Sequence, residues 1–233
     1  MNAVITGGTK GIGKAIAYLL ADKGINIATC SRNQKDLNLF KKDLVRTYPK
    51  IRVFTEKRDL SRKKEVLTFG ESLLQNFETI DILVNNAGIF IPGSIYSEPD
   101  GNLEKLIDTN LFSAYHLTRF LLPPMLKQEG GHIFNICSIA SIIAYPNGGS
   151  YAISKFALLG FSKCLREELK DKGIKVTAIL PGATWSDSWS EATLPEHRLM
   201  QAHDIALAVW NALQMSPSAV VEEIIIRPQL GDL

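Results

Sequence analysis

Cysteine is scarce in this chain: Cys30, Cys137 and Cys164 are odd in number and widely spread, with no CxxC pair and no Cys/His ligand spacing. That pattern excludes a disulfide framework and a structural zinc, so no metal is expected and a reducing compartment fits best. Long apolar runs are also missing. A membrane helix needs about 20 apolar residues and a signal peptide needs a basic start. The opening Met1–Thr6 is a short apolar run that leads straight into glycines, so the expected location is cytoplasmic, without a membrane. Charge of one sign is lacking too. The net charge is +2, and the basic clusters Lys41-Lys42 and Arg62-Lys63-Lys64 are short. Nothing there calls for nucleic acid, and helix surface is their expected place.

What is present is alternation. Apolar residues make up 45% of the 233 and charged residues 21%, which is ordinary for a globular chain and far from disorder. Short Val/Ile/Leu-rich runs predict strands over Asn2–Thr6, Asn26–Cys30, Arg52–Glu56, Ile80–Asn85, His132–Cys137, Lys175–Leu180 and Glu223–Arg227. Helical patterns lie between them. Ile12, Ile16, Leu19 and Leu20 keep helical spacing up to a stop at Gly24, and longer helices are predicted over Leu103–Lys127 and Tyr151–Lys172. A shorter helix covers Asp204–Met215. This is an α/β chain of one domain, residues 1–233, with a doubly wound parallel sheet and helices on both faces. The stretch Ala183–His203 has no clear period and follows a strand end, so it is read as a substrate loop; Trp185, Trp189 and Leu194 give it an aromatic-rich wall.

Directly after the first strand stands Thr6-Gly7-Gly8-Thr9-Lys10-Gly11-Ile12-Gly13. Glycines there let backbone approach a pyrophosphate, and a following helix offers unpaired N–H groups and positive potential. The same stretch is one residue from a P-loop, but Ala15 stands where a magnesium-binding hydroxyl is needed, and the fourth strand ends in Asn85-Asn86 rather than Asp. At the end of the second strand, Cys30-Ser31-Arg32-Asn33 has no carboxylate for a ribose. Arg32 suits a 2′-phosphate, and Lys10 is a second cation, which favours NADP(H) over NAD.

Tyr151 and Lys155 are four apart and share one face of a predicted helix. A phenol titrates near about 10, and an adjacent ammonium is expected to lower it toward useful acid–base chemistry. Ser138 ends a predicted strand, where its hydroxyl can stabilise a developing oxyanion or merely cap a turn. Asn110 interrupts a long helical pattern, and its poor helix propensity predicts a kink or water site.

The ordered set TGGTKGIG, Asp59-Leu60, Asn85-Asn86-Ala87-Gly88, Asn110, Ser138, Tyr151-Ala152-Ile153-Ser154-Lys155 and Pro181-Gly182 resembles the short-chain dehydrogenase/reductase family over essentially the whole chain. The resemblance implies a Rossmann fold with seven parallel strands. It makes Tyr151 the proton donor and Lys155 the group that lowers its pKa and holds the nicotinamide ribose. Ser138 then orients the carbonyl, and Asn110 anchors a water in a proton relay. Asp59 and Leu60 would meet the adenine, Asn86, Ala87 and Gly88 would line the cofactor, and Thr184 would meet the carboxamide beside Pro181 and Gly182. Ser186 stands where the family often has Thr and keeps the hydroxyl. Members similar to this chain include 3-oxoacyl carrier-protein reductases and sepiapterin reductase-like enzymes, and they commonly pair into dimers or tetramers. The expected partner is a small carbonyl or alcohol: a 3-oxoacyl thioester, a pterin ketone or a range of ketones. A non-catalytic NADP(H) sensor is the rival reading. A hydrolase has no GxSxG elbow to rest on, and none of His116, His132, His197 and His203 lies in a motif with a nucleophile.

Overall fold

The computed structural model describes residues 1–185 and 194–232. Its strands β1 (Asn2–Thr6), β2 (Asn26–Ser31), β3 (Val53–Lys57), β4 (Ile82–Asn85), β5 (Gly131–Ile136), β6 (Ile174–Pro181) and β7 (Glu223–Ile226) form one sheet. Every pairing is parallel, and the order is β3-β2-β1-β4-β5-β6-β7. The expected doubly wound Rossmann sheet of seven strands is therefore present, with ends moved by one or two residues.

Alternation along β1 shows why both faces need helices. Ala3 and Ile5 join one apolar cluster with Ile16 and Leu20 of α1 (Gly11–Asp22), Phe40 and Leu44 of α2 (Gln34–Thr47), and Ile205 and Val209 of α7 (Ala202–Leu213). Val4 points the other way. It joins Phe69 and Leu73 of α3 (Lys63–Asn76), Leu117 and Leu121 of α5 (Ser113–Lys127), and Leu165 and Leu169 of α6 (Gly149–Leu169). Each such fully buried aliphatic or aromatic side chain contributes about 1.5–3 kcal/mol by leaving water. The basic clusters Lys41-Lys42 and Arg62-Lys63-Lys64 sit exposed on α2 and at the start of α3. Gly24 ends α1 at φ 75°, a left-handed conformation in which a side chain would be strained.

The expected long helix over Leu103–Lys127 is three pieces. Helix α4 (Asn102–Ile107) passes into a π-helical turn, Asp108–Phe112, and then into α5. Asn110 lies in that turn and is almost wholly buried. The wider turn lets its amide leave the helix and bond to other elements, which a regular helix would not allow here.

One histidine is explained by the core alone. His132 on β5 is buried, stacks on Phe134 and places Nε2 2.7 Å from Thr177 Oγ1. Burial holds its imidazole down at about 3, so it stays neutral.

Strand order reverses at β1, whose neighbours β2 and β4 carry the chain to opposite sides. The crevice at the carboxyl ends of these strands is where an open α/β sheet binds its ligands. The glycine loop and Asn86 both leave the sheet at this point. Among the described residues, no helix is long and apolar enough to cross a membrane.

Candidate active site

The glycine loop is fastened before it meets any ligand. Gly7 N–H donates to Cys30 O at 3.1 Å, and Gly8 N–H donates to Thr29 Oγ1 at 2.9 Å. Asn86 Nδ2 donates to Thr6 O and Gly7 O, while Thr6 Oγ1 accepts from the N–H groups of Asn86 and Ala87. Asn86 thus braces the loop at the crevice. A methyl group on Gly13 would lie 2.4 Å from Asn86 Nδ2 and 2.7 Å from Gly7 O, so loop and helix touch only because Gly13 has no side chain. Gly7 and Gly11 have φ of 65° and 50°, which free the chain to turn between strand and helix.

Two helix N-termini meet this crevice, and they differ. Helix α2 is capped by Asn33, whose side chain accepts from the N–H groups of Lys35 and Asp36. Helix α1 has no side-chain cap and no acid in its first turn. Its N–H groups and positive potential are left for an anion, and the close-packed glycines clear the way to them. Thr9 lies in this cradle, and Lys10 takes the N-cap position. The residues present therefore fit a dinucleotide pyrophosphate.

Around it the expected residues take unequal places. Arg32 is exposed just beyond the end of β2, next to Ser31. Lys10 is not a bare cation: its Nζ lies 3.7 Å from Asp36 in an exposed pair, a contact of small energy. Asp59 holds its own turn, accepting from Ser61 N and Oγ, beside the buried Leu60. Pro181 ends β6, and Gly182 N–H donates to Ile226 O at 2.7 Å. Thr184 is buried and bridges to Met200, which joins the two flanks of the predicted substrate loop. Ser186 and Trp189 lie outside the described residues.

Next to the cradle is a cavity of about 550 Å³. Ile12 of the glycine loop borders it together with Ser138, Tyr151, Gly182 and Thr184, which unites the cofactor side and the reacting side in one space. Tyr151 stands on α6 with Phe90 edge-on to its ring at 4.8 Å. Ser138 caps the short turn Ile139–Ser141, its Oγ accepting from Ala140 N–H, while Ser141 Oγ accepts from Ser138 N–H. That acceptance leaves the Ser138 O–H to donate, and its interaction with Tyr151 pulls the phenol's pKa down. Ser138 thus caps its turn and also stands on the cavity.

Lys155 is 6% exposed, and its Nζ donates to Ile136 O at 2.9 Å, 5.9 Å from the centre of the Tyr151 ring. The acid–base balance differs from the expectation of a lowered phenol. Burial raises the Tyr151 pKa, the Ser138 hydrogen bond pulls it down, and Cys137 pushes it up. Burial also lowers the Lys155 pKa. The reason is that a low-dielectric pocket disfavours both charged forms.

Asn110 connects the two sides. Its Oδ1 accepts from Ile89 N–H at 2.8 Å, and its Nδ2 donates to Ile89 O and to Ser154 Oγ. Ser154 Oγ in turn donates to Tyr151 O at 2.7 Å. A methyl on Gly88 would sit 3.2 Å from Asn110 Oδ1 and 3.7 Å from Lys155 Nζ, so Gly88 keeps the lysine's surroundings open. Sequence reasoning missed Ser154 as a link, although it lies inside the quoted Tyr-to-Lys segment. It also missed Phe90, Arg227 and Asp232 on the cavity, because loops and a chain end carry no periodic signal. Among the described residues, no group of three or more His, Cys, Asp or Glu could hold a metal.

A glycine cradle at a sheet's reversal point, opening onto a Ser-Tyr-Lys set, defines a dinucleotide-binding oxidoreductase of Rossmann architecture. The family model for short chain dehydrogenases matches residues 1–196, and the chain belongs to that family. It is 32% identical over 226 residues to an uncharacterized oxidoreductase of Staphylococcus saprophyticus, covering 97% of this chain and 96% of that one. A similar solved structure is the alcohol dehydrogenase of the archaeon Thermococcus sibiricus complexed with 5-hydroxy-NADP. Its TM-score is 0.91 at 26% identity, over 100% of this chain and 98% of that chain. The L-sorbose reductase of Gluconobacter frateurii, complexed with NADPH and L-sorbose, has a TM-score of 0.88 at 26% identity, over 97% and 95% of the two chains.

Proposed function

We propose that this oxidoreductase is an NADP(H)-dependent reductase of a ketone or other carbonyl, working in reverse as an alcohol dehydrogenase. The observation that carries the reading is the single cavity in which Ser138 and Tyr151 adjoin the glycine loop, with Lys155 buried one helical turn from Tyr151. NADP(H) bound in the crevice supplies or accepts the hydride; support for it comes from the NADP-type cofactors held by two of the solved structures similar to this chain.

The chain's own residues handle the proton. Tyr151, kept protonated by burial, donates its phenolic proton to the carbonyl oxygen as negative charge grows there, while Ser138 donates a hydrogen bond to that oxygen. The phenolate left behind faces the Lys155 ammonium, which stabilises it and is held in place by Ile136 O. Asn110 fixes Ser154 and through it the Tyr151 carbonyl, so the π turn positions the acid. Arg32 at the end of β2 is the guanidinium for the 2′-phosphate, beside Ser31. A cytoplasmic homodimer or homotetramer belongs to the same reading and is supported by the exposed apolar Phe112, Ile153 and Phe156 on the π turn and α6.

The test follows NADPH oxidation over a panel of ketones, with Tyr151→Phe as control. Turnover is expected to fall about 100-fold or more in the variant, with NADPH binding retained. No turnover on any carbonyl, with tight NADPH binding, would instead mark a cofactor-sensing protein.

A further inference from the structure

The cavity has unlike walls. Part of its lining is apolar, from Ile12, Phe90, Ile139 and Ile143, and the charged residues on it, among those described, are Arg227 and Asp232. Arg227 follows β7 at the carboxyl edge of the sheet, the edge that carries the reacting groups. The segment after it folds back, with Gly231 N–H donating to Pro228 O at 2.9 Å. This return brings Asp232 to the arginine. Asp232 Oδ2 accepts from Arg227 Nε at 2.8 Å and lies 2.6 Å from Nη2. The tail itself is held by a second guanidinium: Arg198 Nη1 donates to Gly231 O and Nη2 to Asp232 O.

Three features separate this arrangement from an ordinary surface ion pair. The carboxylate engages the Nε–Nη2 edge of Arg227 through one oxygen, and Nη1 has no hydrogen bond or ion pair among the described residues. A second guanidinium, Arg198, reaches the same tail through backbone carbonyls, so two cations stand beside one described carboxylate. The Arg227 side chain is 46% exposed and borders a cavity that is otherwise largely apolar, where Asp232 is the one acid among the described lining residues that competes for the guanidinium.

We propose that Arg227 anchors an anionic group of the substrate, so that the cavity takes carbonyl compounds bearing a carboxylate joined to the carbonyl by an apolar segment. The apolar wall accepts the segment, the Ser138–Tyr151 pair receives the carbonyl, and Arg227 receives the acid. Asp232 is a positioning residue that holds the guanidinium in place and competes with the incoming acid for it. The inference rests on the carbonyl-reductase reading above.

The experiment compares a series of oxo-acids of increasing chain length with their methyl esters. Wild type, Arg227→Gln and Asp232→Asn are each assayed by NADPH oxidation, and acid binding is measured by calorimetry in the presence of NADP. Wild type is expected to favour one oxo-acid over its ester by about tenfold or more in kcat/KM, the range a hydrogen bond between charged groups supplies. Arg227→Gln should remove that preference by raising the acid's KM, with the ester's kcat and KM unchanged. Asp232→Asn should move the acid's KM the opposite way, lowering it a few-fold. A variant that merely damaged the fold would impair acid and ester alike. The proposal fails if wild type treats every acid and ester equally, if Arg227→Gln slows both, or if it weakens NADPH binding while the preference stays. Acid binding that Arg227→Gln abolishes, with no carbonyl turned over, would keep the anchor and overturn the reductase reading instead.

Discussion

The two walls of the cavity are built by different physics. The wall backed by the glycine loop, Asn86, Asn110 and Lys155, of which Ile12 reaches the cavity itself, is fixed by backbone hydrogen bonds and side-chain amides, with no room for a methyl on Gly8 or Gly13. The wall formed by Thr184, Arg227 and Asp232 is held by a backbone bridge to Met200 and by partly exposed guanidinium contacts from Arg198 and Arg227. Buried amides cannot change partners without leaving a polar group unpaired, whereas exposed ion pairs exchange with water at little cost. On the proposed reading, the first wall serves the general chemistry and the second the choice of substrate.

The contrast breaks most sharply at Gly13. Gly13→Ala places a methyl against Asn86 and Gly7 O, and about 1–3 kcal/mol of stability should be lost together with NADPH binding. Thermal unfolding and cofactor titration check this; an unchanged melting temperature with tight binding would show that the wall yields. Ser138→Ala comes next, with turnover expected to fall about 100-fold. Because the Ser138 hydrogen bond lowers the Tyr151 pKa, its removal should also move the alkaline rise of alcohol oxidation to higher pH, as the phenolate forms later. A pH–rate profile that stays in place would separate Ser138 from the acid.

Arg32→Asp sharpens the comparison on the cofactor side. The ratio of NADPH to NADH affinity should drop about tenfold or more, since a phosphate loses its cation and gains a neighbouring negative charge. Equal losses for both cofactors would remove the 2′-phosphate role. On the buried side, His132 makes stability fall in acid. Its folded pKa, at about 3, lies below the unfolded value of about 6.5, so the unfolded chain binds the extra proton between them. Stability is present above about pH 6.5 and is lost as pH drops toward 3. Denaturant titrations at stepped pH should show a shallower loss for His132→Gln, and an identical slope would place the acid sensitivity elsewhere. The smallest effect on stability is expected at Arg198→Ala, below about 1 kcal/mol because its contacts are partly exposed, yet substrate KM should rise as the tail loosens. A large drop in melting temperature there would erase the distinction between the walls.

Local pattern carried far along the chain. Near-continuous apolar runs gave strand positions within one or two residues, since a strand buried on both faces must be apolar throughout. Tyr151, Lys155 and Ser138 were legible because short spacing and strand ends fix where such residues stand. Asn110 was legible only as an irregularity: its poor fit to a helix marked the spot, and the structure turned the mark into a π turn with named partners. Nothing local announced Arg227 and Asp232. Their meeting needs β7 to reach the sheet's edge and the tail to fold back, with Arg198 brought from before α7 to hold it.

From its residues alone this protein was determined to be a parallel α/β chain with a glycine cradle and a Tyr-Lys pair on one helix face, because strand and helix periods and a four-residue spacing are local geometry. Tertiary structure decided the balance of charge: burial, which depends on every neighbour, raises the phenol and lowers the ammonium against their simple pairing. It also decided which distant side chains share the cavity, since that depends on where strands dock and chain ends return.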